Sequence, residues 1–135
     1  MRLKEKTDSY NMTYVIYNER RIYNLTQHKI NILRKNIKIT IPPSGVVLRT
    51  GYDVKLETYM GDIPVFKRKV TNDVNSLPEG HYNEDYIYIV SNKILSVTDI
   101  PNFLAPFTLI RDRKNRVLGC SCLTSGIVKE SIDKQ

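Results

Sequence analysis

The chain has few of the residues that build disulfides and metal sites. It contains 2 cysteines and 2 histidines in 135 residues. Cys120 and Cys122 lie two positions apart, so on one strand they would point the same way and make poor disulfide geometry. Their spacing also differs from the C-x(2–4)-C spacing of structural zinc sites. We therefore expect free thiols in a cytoplasmic protein, and no metal site.

Long apolar runs and catalytic signatures are also missing from the sequence. No stretch approaches the roughly 20 apolar residues of a membrane span, and the charged residues 1–6 lack the apolar core of a signal peptide. His28 or His81 could act as a base for Cys120 or Ser91, but no nucleophile elbow supports either pairing. Phosphate-loop, dinucleotide-binding and metalloprotease motifs are absent too. We expect no enzyme, no catalytic residue, no cofactor and no membrane association.

The charge balance is basic, with a formal net charge of +7 and a pI near 9.4. Such a balance favours an anionic partner, for example nucleic acid or a nucleotide. The acidic residues, however, are spread through nearly every segment, and lysine, isoleucine and asparagine are plentiful. An AT-rich genome would produce that composition without selection for binding, so both explanations stay open.

The alternation of apolar and polar residues predicts a mainly β protein: an antiparallel sheet or a small barrel-like β domain with one or two short helices. We expect a flexible arm over residues 1–11, one β-rich domain over 12–125 and a polar tail over 126–135. Ser91 is predicted to cap a short helix ending near Leu95. The predicted strands are 13–17, 21–23, 29–33, 37–41, 46–49, 52–59, 63–70, 86–90, 107–111 and 117–123.

A polar cluster interrupts the early strands at residues 24–28. Asn24, Thr26 and His28 alternate with Leu25 and Gln27, so a strand would place the amide, the hydroxyl and the imidazole on one face. Such a face could bind a polar ligand, or the same residues could fix a local turn. We count all three as candidate ligand-binding residues.

A second group of candidates lies in the final predicted hairpin. Its cations, Arg111, Arg113, Lys114 and Arg116, fall within six positions. Arginine pairs of this kind can hold phosphates through two parallel hydrogen bonds. Charged hairpin tips also occur simply because they are solvated and discourage edge pairing. Arg111 is preferred because it falls inside the predicted strand.

Aromatic residues near position 90 give a third group. Tyr82, in a predicted loop, could stack on a base, and the Asn92 amide could hydrogen-bond to a base edge; stacking is worth about 1–3 kcal/mol per base. Tyr86 and Tyr88 share one face of a predicted strand and are expected to pack instead.

Several motifs together resemble one small family. The strings NLTQH, INIL, IPPSGVV, GDIPVF, YIYIVSN and RDRKNRVLGC resemble those of phage and prophage proteins with an NLTPH-like start, an IYIVS segment and a closing RD-x-x-G-R-x-x-G hairpin. The resemblance runs from Asn24 to about Cys122. Gln27 replaces the usual proline, which affects the rigidity of the polar cluster. Asn115 replaces a common glycine and can still adopt a left-handed turn conformation.

The same region is similar to the Thoeris anti-defence sponges, small phage proteins that bind a cyclic ADP-ribose signal without cleaving it. Related members hold cyclic oligonucleotides. The resemblance implies that Tyr82 and Asn92 flank the base and that Arg111 and Arg113 meet the phosphates. It also implies a homo-oligomer in the cytoplasm of an infected bacterial cell.

The leading expectation is thus a phage-encoded anti-defence protein that sequesters a cyclic nucleotide or cyclic ADP-ribose signal. A basic nucleic-acid-binding protein and a virion assembly protein of a phage are the alternatives. An enzyme acting on nucleotides is the least favoured.

Overall fold

The computed structural model describes residues 3–72 and 77–126, and it is mainly β, as the sequence predicts. Ser91 caps the single-turn helix α1, its side chain accepting a hydrogen bond from the Ile94 amide at 3.2 Å, which confirms the predicted short helix. None of the described helices is long and apolar enough to cross a membrane. The elements are β1 (Lys6–Thr7), β2 (Thr13–Tyr17), β3 (Arg20–Asn24), β4 (Ile30–Arg34), β5 (Ile37–Ile41), β6 (Thr50–Met60), β7 (Ile63–Asn72), β8 (Ile87–Ile89), α1 (Asn92–Leu95), β9 (Phe103–Arg111) and β10 (Val117–Thr124).

Eight strands form one curled sheet in the order β1-β2-β3-β8-β9-β10-β4-β5. The sheet is mixed, because β8 runs parallel to both β3 and β9, and β10 runs parallel to β4. An isolated bridge between Asn24 and Pro43 brings the end of β5 to the end of β3. The edge strand β5 therefore approaches the third strand β3, and the curled sheet forms a half-barrel.

The core occupies both faces of this sheet. Successive side chains on a strand point to opposite faces, so in β3 and β8 the buried Tyr23 and Tyr88 join one hydrophobic cluster, while the buried Ile22 and Ile89 join the other. The predicted strand 86–90 contains β8, which lies in the middle of the sheet. Burial on both faces is typical of strands in parallel pairings.

Two local predictions are wrong. Residues 46–49 are not a strand; that segment comes after β5 and lies beside the turn after β3, where the Leu48 amide donates to the Leu25 carbonyl at 3.1 Å. The predicted strand 107–111 begins earlier, at Phe103, so Pro106 lies inside β9. The β8 pairings with β9 end at Leu104, so the missing N–H of Pro106 removes no bond to β8.

The amino-terminal segment is structured from Lys6 onward, contrary to the expected flexible arm over residues 1–11. Lys6 and Thr7 pair with Tyr14 and Thr13 of β2, and Asp8 accepts hydrogen bonds from the backbone and from side chains. An acceptor with this many donors is the reason that the segment folds back onto the sheet. Of the expected tail over 126–135, residues 127–135 lie outside the described part.

The strands β6 and β7 form a separate two-stranded sheet, referred to below as the ribbon. They pair from Thr50 opposite Asn72 to Met60 opposite Ile63, and the register shifts between Leu56 and Thr58. Gly61, with φ +62°, occupies the turn, a conformation that glycine adopts without strain. The predicted hairpin around Gly61 is confirmed.

Candidate basic cleft

The polar cluster at residues 24–28 begins where β3 ends, so it does not form one strand face. Asn24 is fully buried, and its Nδ2 donates to the His28 carbonyl at 2.8 Å and to the Ile41 carbonyl at 3.2 Å. Its Oδ1 accepts from the Thr26 amide at 2.9 Å and from the Thr26 hydroxyl. Asn24 thus fixes a turn and joins it to the end of β5.

This turn directs its polar side chains into an open cleft of about 320 Å³, referred to below as the basic cleft. Three segments form it: the turn after β3, the extended segment after β5 and the start of α1. The cleft is lined by Thr26, Gln27, His28, Val47, Leu48, Arg49, Ser91 and Lys93.

The basic cleft carries positive charge that the surrounding chain leaves uncompensated. Arg49 and Lys93 are both exposed, and within the described ranges neither side chain is in an ion pair. The exposed imidazole of His28 adds a group that can donate or accept a hydrogen bond. The Thr26 hydroxyl donates within the turn and the Ser91 hydroxyl caps α1. The arrangement therefore suits an anion with additional hydrogen-bonding groups.

The structure brings only some of the predicted site residues to this cleft. Thr26 and His28 line it, and Asn92 lies between the lining residues Ser91 and Lys93. The Asn92 amide donates to the Pro106 carbonyl at 3.2 Å, which ties it to β9. Asn24 supports the cleft from beneath without lining it.

Tyr82 lies elsewhere, against the other end of β9. Its hydroxyl donates to Asn102 Oδ1 at 2.6 Å, and its ring stacks on Tyr88 with centroids 5.7 Å apart. It borders a second open cleft of about 550 Å³ that also contains Arg20 and Asp85. The Tyr82 ring is 44% exposed, so one face remains able to contact a partner.

The hairpin cations lie at the far end of β9 from Tyr82. The Arg111 guanidinium donates to the Asn115 carbonyl at 3.0 Å, and Arg113 is exposed at the tip. A strand rises about 3.3 Å per residue, so Asn102 and Arg111 are up to about 30 Å apart. Neither Arg111 nor Arg113 is among the residues that line the cleft beside Tyr82.

Asp112 organises the hairpin tip. Its carboxylate accepts from the amides of Lys114 and Arg116 at 2.8 and 2.9 Å and from Arg116 Nε at 2.9 Å. The Arg116 amide bond, followed by the bond from its side chain, lowers the pKa of Asp112 despite partial desolvation. Asn115 has φ +64°, which confirms its predicted left-handed conformation. Arg116 is thus partly neutralised by Asp112.

A buried polar network, not evident in the sequence, lies at the opposite end of the sheet. His81 Nε2 is 2.8 Å from Asp8 Oδ2, and His81 Nδ1 is 3.1 Å from the Tyr88 hydroxyl. The Tyr23 hydroxyl donates to Asp8 Oδ2 at 2.7 Å and accepts from Arg21 at 3.1 Å. The role of Asp8 could not be predicted from the sequence, because no local motif connects it to His81.

The chemistry of this network is structural. Burial raises the pKa of Tyr88 to about 12, so the phenol stays protonated at neutral pH. Tyr88 is completely buried and His81 is 3% exposed, so neither group can touch a substrate in this conformation. Asp8, His81 and Tyr88 resemble an acid–histidine–hydroxyl relay in their contacts, and they join three parts of the chain.

The four residues weighed for zinc binding do not form a cluster in the structure. In residues 3–72 and 77–126 there is no group of three histidine, cysteine, aspartate or glutamate side chains that could hold a metal ion. Cys120 and Cys122 are free thiols in β10, and burial raises the pKa of Cys120. Both ring nitrogens of His81 have partners within the chain.

Comparisons with known proteins leave the function to be argued from this geometry. The chain matches no protein-family model, and neither the curated proteins nor the solved structures contain a match.

Proposed function

We propose that the protein binds a nucleotide-type anion in the basic cleft and holds it without cleaving it. The observation that carries this proposal is the convergence of Arg49, Lys93 and His28 on one cavity whose rim is fixed by the buried Asn24. Arginine and lysine are the usual protein partners of phosphate oxygens. A rim held by a buried amide keeps the cavity in shape before the ligand arrives, which lowers the entropic cost of binding.

The likeness to phage anti-defence sponges supports a cyclic nucleotide or cyclic ADP-ribose signal as the ligand. In this assignment the phosphates meet Arg49 and Lys93, while Thr26 and His28 face the base or the ribose. A cavity of about 320 Å³ is at the small end of ligand sites, which span about 300–1,000 Å³. Tyr82, Arg111 and Arg113 would then contact the same ligand only across a homo-oligomer.

Isothermal titration with cyclic ADP-ribose isomers and cyclic di- and trinucleotides tests the proposal. We expect saturable binding, recovery of the intact ligand after heating, and at least tenfold weaker affinity in Arg49→Ala and Lys93→Ala. Lys55→Ala, which removes an exposed lysine of the ribbon, is the matched control and should bind like the parent chain. Absence of binding to all these ligands, or equal losses in all three variants, would contradict the proposal.

A second candidate function, nucleic-acid binding, is favoured by one observation on the ribbon. Lys55 lies directly opposite Lys67 across the two strands, and both are exposed. Like charges in this position are destabilising for a sheet, so a polyanion that neutralises them would relieve a cost built into the ribbon. Two-stranded ribbons also fit the grooves of duplex DNA.

Fluorescence anisotropy with labelled duplex and single-stranded DNA distinguishes the two functions. If the ribbon contacts phosphates, the logarithm of the association constant should fall linearly with the logarithm of the salt concentration. The slope should be near −0.9 per phosphate neutralised on duplex DNA. Lys67→Ala should reduce that slope, whereas Arg49→Ala should not. The affinity for a nucleotide bound in the basic cleft should depend less steeply on salt, and Lys67→Ala should leave that affinity unchanged.

A further inference from the structure

The ribbon has little support from the rest of the chain. β6 and β7 are hydrogen-bonded to each other and to no strand of the eight-stranded sheet. An isolated two-stranded hairpin is marginally stable in water, and three strands or a packed apolar face are normally needed. The ribbon, whose strands contain 11 and 10 residues, is long for a hairpin without such support. Its side chains indicate where the support comes from.

The strand register divides the ribbon into two chemically different faces. Directly paired residues share a face, so Leu56 with Phe66 and Tyr59 with Pro64 lie on one face. Lys55 with Lys67 lies on the other face, which also carries the pair Met60 and Ile63 next to the turn. The first of these is referred to below as the apolar face. Val54, opposite Arg68, extends it towards the base of the ribbon.

The register shift between Leu56 and Thr58 is what keeps the apolar face continuous. Without the extra residue, strict alternation would place Thr58 beside Leu56 and turn Tyr59 towards the lysines. With it, Thr58 pairs with Val65 and Tyr59 pairs with Pro64. The bulge therefore directs an aromatic ring onto the apolar face at the position where a hydroxyl would have interrupted it.

This face is unusually exposed for its composition. The exposed fractions are 58% for Val54, 43% for Leu56, 61% for Tyr59 and 55% for Phe66. Single exposed apolar residues are ordinary, but a contiguous patch bordered by charge marks an interaction site. Cross-strand aromatic and aliphatic pairs on one face give the patch a flat shape suited to packing against another sheet.

We propose that the apolar face packs against the same face of a second copy of this chain, the two ribbons being related by a twofold axis. A twofold interface uses one patch on both partners, so the patch must complement itself. The centre of the apolar face does so: hydrophobic side chains meet hydrophobic side chains, Arg68 lies towards the base of the ribbon, and Lys55 and Lys67 point outwards from both ribbons. No lysine of that opposite face is buried in the pair.

The available area fits such a pair. A large aromatic side chain can bury about 150–250 Å², and the four residues above expose about half of theirs. With Pro64 the face offers roughly 500 Å² per chain, or roughly 1,000 Å² for the pair, which is about the smallest area expected of a biological interface and corresponds to a weak pair. Two packed ribbons also make a four-stranded, two-layered unit, which removes the instability of an isolated hairpin.

A nucleic acid is a less suitable occupant of this face. Phosphates are neutralised by lysine and arginine, and the lysines at the centre of the ribbon lie on the opposite face. A ribbon bound to DNA through Lys55 and Lys67 would still expose Tyr59 and Phe66 to water. The two faces are thus suited to different contacts, and pairing through one leaves the other available.

Light scattering after size-exclusion chromatography of the full chain tests this pairing. We expect the parent chain to elute at twice its 15.7 kDa mass or a higher even multiple. Phe66→Glu should shift the mass to that of a monomer, because a buried carboxylate at the twofold interface is unpaired. Lys67→Glu, one residue away on the opposite face, is the matched control and should keep the parent mass. A monomeric parent chain, or the same mass for both variants, would overturn the proposal.

Cross-linking gives a second readout that does not depend on weakening the pair. In a Cys122→Ser background, Tyr59→Cys should form a covalent dimer with a short bis-maleimide, whereas Thr58→Cys on the opposite face should not. Equal yields from the two positions would contradict face-to-face packing. If Phe66→Glu instead abolished DNA binding without changing the mass, nucleic acid and not a second copy would be the occupant of the apolar face.

Discussion

The imidazole of His81 and the carboxylate of Asp8 are 2.8 Å apart although 73 positions separate them in the chain. Both side chains are nearly inaccessible, at 1% and 6% exposure. Asp8 also accepts from the amides of Tyr10 and Met12 and from the Tyr23 hydroxyl. One carboxylate thus fastens the amino-terminal segment to the loop that precedes β8.

Removing this carboxylate should destabilise the fold. In Asp8→Ala the Tyr23 hydroxyl and His81 would lose a buried partner, and each unsatisfied buried group costs about 1–3 kcal/mol. We expect a loss of about 2–4 kcal/mol in the free energy of unfolding, measured by urea denaturation followed by circular dichroism. Glu5→Ala, at an exposed neighbouring position, should change it by less than about 0.5 kcal/mol. Equal effects would refute the anchoring role of Asp8.

The same carboxylate should make stability depend on acid. Burial raises the pKa of Asp8, but hydrogen bonds from Tyr23, Met12, His81 and Tyr10 outweigh it and hold the pKa below 3.8. A depressed pKa in the folded state contributes stability above the unfolded value, and that contribution is lost as pH falls through the folded pKa. The gap in unfolding free energy between the parent chain and Asp8→Asn should therefore be constant at neutral pH and shrink below pH 3.8. If this gap instead grew on acidification, the pKa of Asp8 in the folded protein would be raised, contrary to the prediction.

Replacing Asn24 by aspartate, a side chain of the same shape, should destabilise the fold. Its amide donates to the carbonyls of His28 and Ile41, so in Asn24→Asp a carboxylate would face two carbonyl oxygens and lose both bonds. We expect a loss of about 2–4 kcal/mol by thermal or chemical denaturation. Gln27→Ala changes an exposed side chain of the same turn and should stay near the parent. An unchanged Asn24→Asp protein would mean that other contacts fix the turn.

Gly119 should not accept a side chain. A Cβ there would lie 2.6 Å from the Asn31 carbonyl oxygen and 3.1 Å from Leu33 Cδ1, where β10 passes β4. Overpacking of this kind costs about 1–3 kcal/mol, so Gly119→Ala should lower the unfolding midpoint in urea. Gly126→Ala, whose Cβ would meet its nearest atom at 3.4 Å, serves as the comparison. If the two alanine variants were equally stable, β10 would have room to move away from β4.

Local patterns were sufficient for elements that depend on local physics. The alternation at Thr13–Tyr17 and Ile37–Ile41 predicted β2 and β5, Ser91 predicted the start of α1, and Asn115 predicted a left-handed turn residue. Each depends on interactions within a few residues. These are the features that side-chain period, capping and φ preference determine.

Strand partners could not be predicted in the same way. Nothing near Ile87–Ile89 indicates that β8 pairs in parallel with β3, some 65 positions earlier, because that choice depends on how whole faces pack. Pro106 could not be placed in a strand until its unpaired side was known. For the candidate site, the residue types at 24–28 predicted polar ligand-binding side chains. That Arg49 and Lys93 lie in the same cleft could not be predicted, because it depends on how the chain folds after β5.

The pairing of early strands with late ones also determines when the molecule can fold. β3 meets its parallel partner only when β8 exists, and β4 meets its own only when β10, ending at Thr124, exists. Loop closure over such distances is slow, and strands with two apolar faces can aggregate until their partner strands are available. During synthesis the pairs β2–β3 and β4–β5 and then the ribbon can form early, because the strands of each pair adjoin in sequence. The sheet is completed only when β8, β9 and β10 have been synthesised, so β3 and β4 depend on these later strands to cover their unpaired edges.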